Sequence, residues 1–201
     1  MTTATTADRS EFRHILLSGT RVGLATGAAV ILYLVVARLL PHGIVAAVVE
    51  TMIVLGAGVA VTFLPGSFAV ARTTQGIASA SAIGLWGTVV FMAIDIVLLR
   101  PLRAYPWTWD AVGGGSTWWY LSIWWMLGTF VAWLGALVTA GRVARGGDAS
   151  IRALSMPLLA GGVGGALGLG LGGLVYMPVA GGAGFVLTLI VFALVTIARK
   201  G

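Results

Sequence analysis

The sequence predicts an all-α, polytopic transmembrane helical bundle of about six spanning helices, with both termini on the cytoplasmic side. Three observations carry this reading. Of 201 residues, 59% are hydrophobic and 9% are charged, whereas a soluble domain carries roughly 25% charged residues. The chain divides into apolar runs matched to a bilayer, which takes roughly 20 helical residues to cross a hydrocarbon core about 30 Å thick. Basic residues gather in alternate connections, the pattern that sets orientation in membrane proteins.

Residues 1–9 form a Thr/Ala-rich tail with no reason to order. Asp8 and Glu11 have the spacing of a capping box, in which each side chain reaches the other residue's free backbone N–H. Phe12, Ile15 and Leu16 then share one helical face while Arg9 and Arg13 share another. Residues 10–40 therefore read as an amphipathic start at the inner membrane surface leading into the first span, whose apolar run is 19–40. That run ends in Ala37-Arg38-Leu39-Leu40-Pro41, without the small-x-small pattern of a cleaved leader.

Further runs occupy 44–64, 77–99, 117–139, 153–175 and 176–198. Only Val175-Tyr176-Met177-Pro178 separates the last two. Together they are about twice as long as one crossing requires, and Pro178 stands where a tight turn belongs, which favours two spans over a re-entrant pair. Membrane strands would alternate polar and apolar residues, and these runs do not.

With six spans, one side receives Arg9, Arg13, Arg21, Arg72, Arg142, Arg145, Arg152, Arg199 and Lys200, and the other receives Arg38, Arg100 and Arg103. The first set marks the cytoplasmic side of a cell inner (plasma) membrane. The longest outer connection, 101–116, carries Tyr105, Trp107 and Trp109 beside Gly113-Gly114-Gly115, with Trp118, Trp119 and Tyr120 following. This is the composition of an aromatic belt at headgroup level.

Two patterns point to helix packing. Gly19, Gly23 and Gly27 repeat every fourth position in the first span, and Gly164, Gly168 and Gly172 do so in the fifth, with Gly161 and Gly165 beside them. Lipid supplies no hydrophobic drive between helices, so such glycine-zipper grooves let backbones approach closely. In the fourth span Trp118, Trp125 and Trp133 share a face, with Trp124 at its side and Gly128 and Gly135 turned inward.

Two acids lie inside apolar runs, Glu50 in the second and Asp95 in the third. A charge at that depth costs at least about 2.5 kcal/mol unless paired or neutralised. The Pro41-His42-Gly43 turn folds Arg38 back toward Glu50, and Arg100 stands about a turn above Asp95. An intramembrane polar cluster of Arg38, His42, Glu50, Asp95 and Arg100 follows. It reads either as a structural clasp or as a proton- or ion-handling site.

Much chemistry is excluded. The net charge of +6 is spread between spans rather than gathered on one face, so nucleic acid is not an expected partner. There is no cysteine, and no spacing of His and acids fits a metal, so no metal or cofactor is expected. Gly-x-Ser-x-Gly and phosphate-loop motifs are missing. His42, Asp95 and Asp110 are the only conceivable acid–base set, and no catalytic residue is assigned. The expectation is a non-enzymatic accessory or assembly subunit, packing through glycine-rich faces with lipid, another membrane subunit or itself. The alternative is a small channel or proton- or ion-coupled carrier using Glu50 and Asp95.

Overall fold

A computed structural model describes residues 12–102, 104 and 119–199. They form six helices, each long and apolar enough to cross a membrane, and no strand occurs among the described residues. Helix α1 spans Phe12–Leu39, α2 Ile44–Phe68 and α3 Thr74–Ile94, the last continuing through a π turn at Asp95–Leu99. Helix α4 spans Trp119–Ala144, α5 Ile151–Gly165 with a second π turn at Ala166–Gly170, and α6 Met177–Ala198. The predicted tail and the Asp8/Glu11 capping box lie outside the described residues. The amphipathic start is continuous with the first span, α1 running unbroken for 28 residues, about 42 Å at about 1.5 Å per residue.

Helices alternate in direction. The connections after α1 and α5 lie at one end, called here the hairpin end, and those after α2 and α4 lie at the terminal end with Phe12 and Arg199. Helix α2 sits in the middle and touches every other helix. One core cluster joins α2, α4, α5 and α6 through Leu55, Phe63, Leu134, Leu158 and Leu189. A smaller one, around Val22, Ala80, Ile83 and Ala136, joins α1, α3 and α4.

Close approach at glycine sets the spacing between helices. A Cβ on Gly23 would stand 2.5 Å from the Gly87 carbonyl oxygen, and one on Gly19 would stand 2.8 Å from Trp86. With Gly27 against Ile94 at 3.1 Å, the first ridge is seated on α3 along its length. On α4, Gly128 faces Thr88 of α3 and Gly135 faces Thr62 of α2. Helices α5 and α6 form an antiparallel hairpin, with Gly161 on Thr188 and Gly165 between Ala180 and Gly184. Gly173, at φ +71°, supplies the left-handed residue its turn requires, and Pro178 occupies the first turn of α6.

The second predicted ridge behaves differently. Gly164 and Gly168 meet nothing within 4 Å, and Gly172 meets its own turn. Helix α6 takes the neighbouring Gly161/Gly165 face instead, about 60° round the helix at roughly 100° per residue. The outer ridge is left bare.

Local bonds fix the helix ends. Thr73 Oγ1 accepts the Gly76 N–H at 3.1 Å, and Ser150 Oγ accepts that of Ala153 at 3.3 Å. His14 Nε2 lies 3.0 Å from the Phe68 carbonyl, satisfying an otherwise orphaned group at the end of α2. Within the spans, Thr20, Thr26, Thr51, Thr88, Thr139, Thr188 and Thr196 each return the hydroxyl proton to the carbonyl four residues back. The buried Thr62 hydroxyl has no partner among the described residues.

Candidate functional site

The polar groups that hydrocarbon should penalise are concentrated at the hairpin end. Tyr33 lies six residues before the end of α1, and Glu50 lies six residues after the start of α2. The short connection between the two helices holds them at equal depth, about 9 Å inside the helix ends. Glu50 is 4% exposed. The Tyr176 hydroxyl, from the α5–α6 connection, donates to Glu50 Oε2, and the Tyr33 hydroxyl donates in turn to Tyr176 at 3.4 Å. A carboxylate thus sits at one end of a chain of two phenols, with Tyr176, 53% exposed, in the middle and Tyr33 at the other end. Burial first, and then the carboxylate beside it, push the Tyr176 phenol well above its ordinary range. Tyr176 therefore stays a neutral donor across physiological pH.

The spacing in sequence offers Arg38 as the partner of Glu50, and the structure gives Glu50 a tyrosine instead. Arg38 turns outward, and its Nη2 donates to the Ala104 carbonyl at 3.0 Å, tying the segment after α3 to the end of α1. Asp95 accepts from Arg100 Nε at 3.0 Å. In an α-helix, residues five apart point about 140° apart at roughly 100° per residue. The π turn brings them together, its backbone bond running from Arg100 N–H to the Asp95 carbonyl at 3.0 Å. His42 is exposed in the α1–α2 turn. Of the five predicted residues, Asp95 and Arg100 pair, Glu50 joins Tyr176 and Tyr33, Arg38 bonds the Ala104 carbonyl, and His42 stays in the turn, so the single predicted cluster does not form.

Sequence reasoning missed the tyrosines. Their signal was depth: Tyr33 and Tyr176 are the phenols nearest the level of Glu50, and a buried carboxylate without a cation needs hydrogen-bond donors. Of the predicted belt, Trp107, Trp109 and Trp118 lie outside the described residues, as do Tyr105, Arg103, Asp110 and the side chain of Trp119. No cluster of three or more His and acidic residues able to hold a metal occurs among the described residues.

The terminal end is basic. Arg13, Arg21, Arg72, Arg142, Arg145, Arg152 and Arg199 lie there, with Asp148 as the acid among the described residues of that end.

Fold and polar groups define a class: a multi-pass, six-helix bundle of a lipid bilayer with a buried acid held by a tyrosine hydroxyl near one end. No protein-family model, curated protein or solved structure matches the chain.

Proposed function

We propose that this chain is a non-catalytic integral membrane subunit that assembles with another membrane protein or with copies of itself. The observation that supports this reading is the bare Gly164/Gly168 ridge of α5. Elsewhere in the bundle nearly all helical glycines serve as seats for a neighbouring helix, the use small residues have in membranes. A ridge with the same geometry and no occupant is a seat for a helix that the described residues do not supply. Purification in mild detergent tests the reading. The expected result is a stoichiometric complex or homo-oligomer that Gly164→Leu with Gly168→Leu dissociates into folded protein. A lone monomer, unchanged by the double substitution, overturns it.

The basic terminal end supports a cytoplasmic placement of both termini in a bacterial inner membrane. Single cysteines introduced into this cysteine-free chain test it, with Ala149→Cys reacting from inside intact cells and His42→Cys from outside.

A second reading, a small proton- or ion-coupled carrier, is favoured by one observation. Glu50 is buried against the Tyr176 hydroxyl with no basic partner among the described residues, and intramembrane carboxylates commonly mark ion pathways. Reconstituted vesicles that take up protons or alkali cations, and lose that flux with Glu50→Gln, would establish it.

A further inference from the structure

Two tryptophans stand near the middle of spanning helices, and their indole N–H groups fare differently. Trp86 of α3 donates to Thr20 Oγ1 across the α1–α3 contact at 3.1 Å. Trp133 of α4 reaches no acceptor among the described residues. It lies fourteen residues after Trp119 and eleven before Ala144, about 21 Å and about 16 Å from the two ends of the helix. Lipid ester carbonyls sit at headgroup level and do not extend to that depth. An unpaired N–H in hydrocarbon is costly, which favours an assembly that brings an acceptor to it.

Trp133 lines an open groove of about 880 Å³ between α3 and α4, shared with Ser81, Leu85, Trp125, Met126 and Phe130. Met126, Phe130 and Trp133 follow at spacings of four and three and form one stripe along this groove, running from Met126, 72% exposed, to Trp133, which is half-buried against the core cluster. An acyl chain fills such a groove but offers no acceptor. Thr129, one turn before Trp133, does. Its hydroxyl proton is given to the Trp125 carbonyl at 2.7 Å, which leaves the oxygen lone pairs free to accept.

The same stripe therefore carries a donor without an acceptor and an acceptor with spare capacity. That is the self-complementarity a two-fold interface requires. Two copies inserted with the same orientation are related by an axis along the membrane normal, so equal depths meet. Helical side chains lean toward the N-terminus, which carries the Trp133 indole toward the level of Thr129.

We infer that the α3–α4 face is the interface of a parallel homodimer in which Trp133 of each copy donates to Thr129 of the other. This deepens the assembly reading and rests on it, while using a different face from the α5 ridge. Cross-linking of single-cysteine variants in bilayers tests it, because the chain has no cysteine of its own. Met126→Cys should give a disulfide dimer under mild oxidant, and Leu167→Cys on α5 should not. In vesicles, energy transfer between labelled copies should show Trp133→Phe and Thr129→Val each weakening the dimer about tenfold. The double variant should be no weaker than either single one, since both remove the same bonds. Unchanged thermal unfolding in detergent separates lost association from lost folding.

Dimers formed by Leu167→Cys and not Met126→Cys would overturn this interface and leave assembly through α5 standing. A monomer in both variants overturns it as well, and the broader reading then rests on a different protein as partner. Dimers unaffected by Trp133→Phe and Thr129→Val would also sink the assignment.

Discussion

Two glycine ridges with the same four-residue spacing, Gly19/Gly23/Gly27 on α1 and Gly164/Gly168/Gly172 on α5, meet opposite fates. The first is buried against α3, and the second is bare on the outside of the bundle. What separates them is the surface opposite. Helix α3 presents Gly87 to the α1 ridge, where an added Cβ would stand 3.2 Å from the Gly19 carbonyl oxygen, so the contact is small on both sides. Helix α6 presents Ala180 and Gly184, and these fit Gly161 and Gly165. A glycine repeat makes a groove, and a small residue on the facing helix decides whether it is filled.

Substitution at matched positions is the strongest way to break this comparison. Gly23→Leu drives a side chain into the Gly87 carbonyl and Val90, and should cost about 3 kcal/mol, enough to deplete folded protein in a detergent melting assay. Gly164→Leu meets open space and should change monomer stability by less than about 0.5 kcal/mol. Equal losses at the two positions would mean that the α5 ridge is covered and the contrast is false.

The α5–α6 hairpin lacks contacts along its outer ridge but is tethered to α2 at its tip by Tyr176 and Glu50. Tyr176→Phe strips the buried carboxylate of its donor and should destabilise the bundle by about 1–3 kcal/mol. Glu50→Gln keeps an acceptor for the same hydroxyl and should cost less. If the order is reversed, the carboxylate is held by something other than the tyrosine.

Thr62 sharpens the comparison from another side. It lies opposite Gly135 at a contact as tight as the α1–α3 one, yet its buried hydroxyl has no partner among the described residues. Thr62→Val keeps the shape and removes the orphan, and should raise stability by about 1 kcal/mol. A loss of stability would reveal a hydrogen bond at that hydroxyl.

The spans were legible because length and apolarity are properties of each segment alone: the six runs correspond to six helices, with α4 reaching Ala144 and α2 reaching Phe68. The Asp95–Arg100 contact was close enough in sequence to be anticipated, although the π turn that makes it was not. The Glu50 partner was not legible, because Tyr176 is 126 residues away and only the α5–α6 hairpin brings it back to α2. Likewise, nothing in the glycine spacing of α5 distinguishes Gly165 from Gly164. That choice belongs to α6, and a pattern along one helix carries no information about which side its neighbour takes.

The smallest effect concerns how α5 begins. Asp148 accepts the Ser150 hydroxyl proton at 2.6 Å and the Ser150 N–H at 2.8 Å, and Ser150 Oγ accepts from Ala153 N–H to cap the helix. The Ser150 hydroxyl first, then its backbone N–H, hold the Asp148 carboxyl below its ordinary range, with Arg142 adding a minor pull. A carboxyl depressed in the folded state adds stability that is present above its unfolded pKa and is lost as pH falls through the folded one. Because Asp148 is fully exposed, global melting should not register it. Amide exchange should, since it reports local opening of a helix end. Protection of Ala153 and Leu154, taken relative to the intrinsic exchange rate at each pH, should fall as the pH drops below the carboxylate range, and Asp148→Asn should show the lower protection already at neutral pH with no further acid-dependent loss.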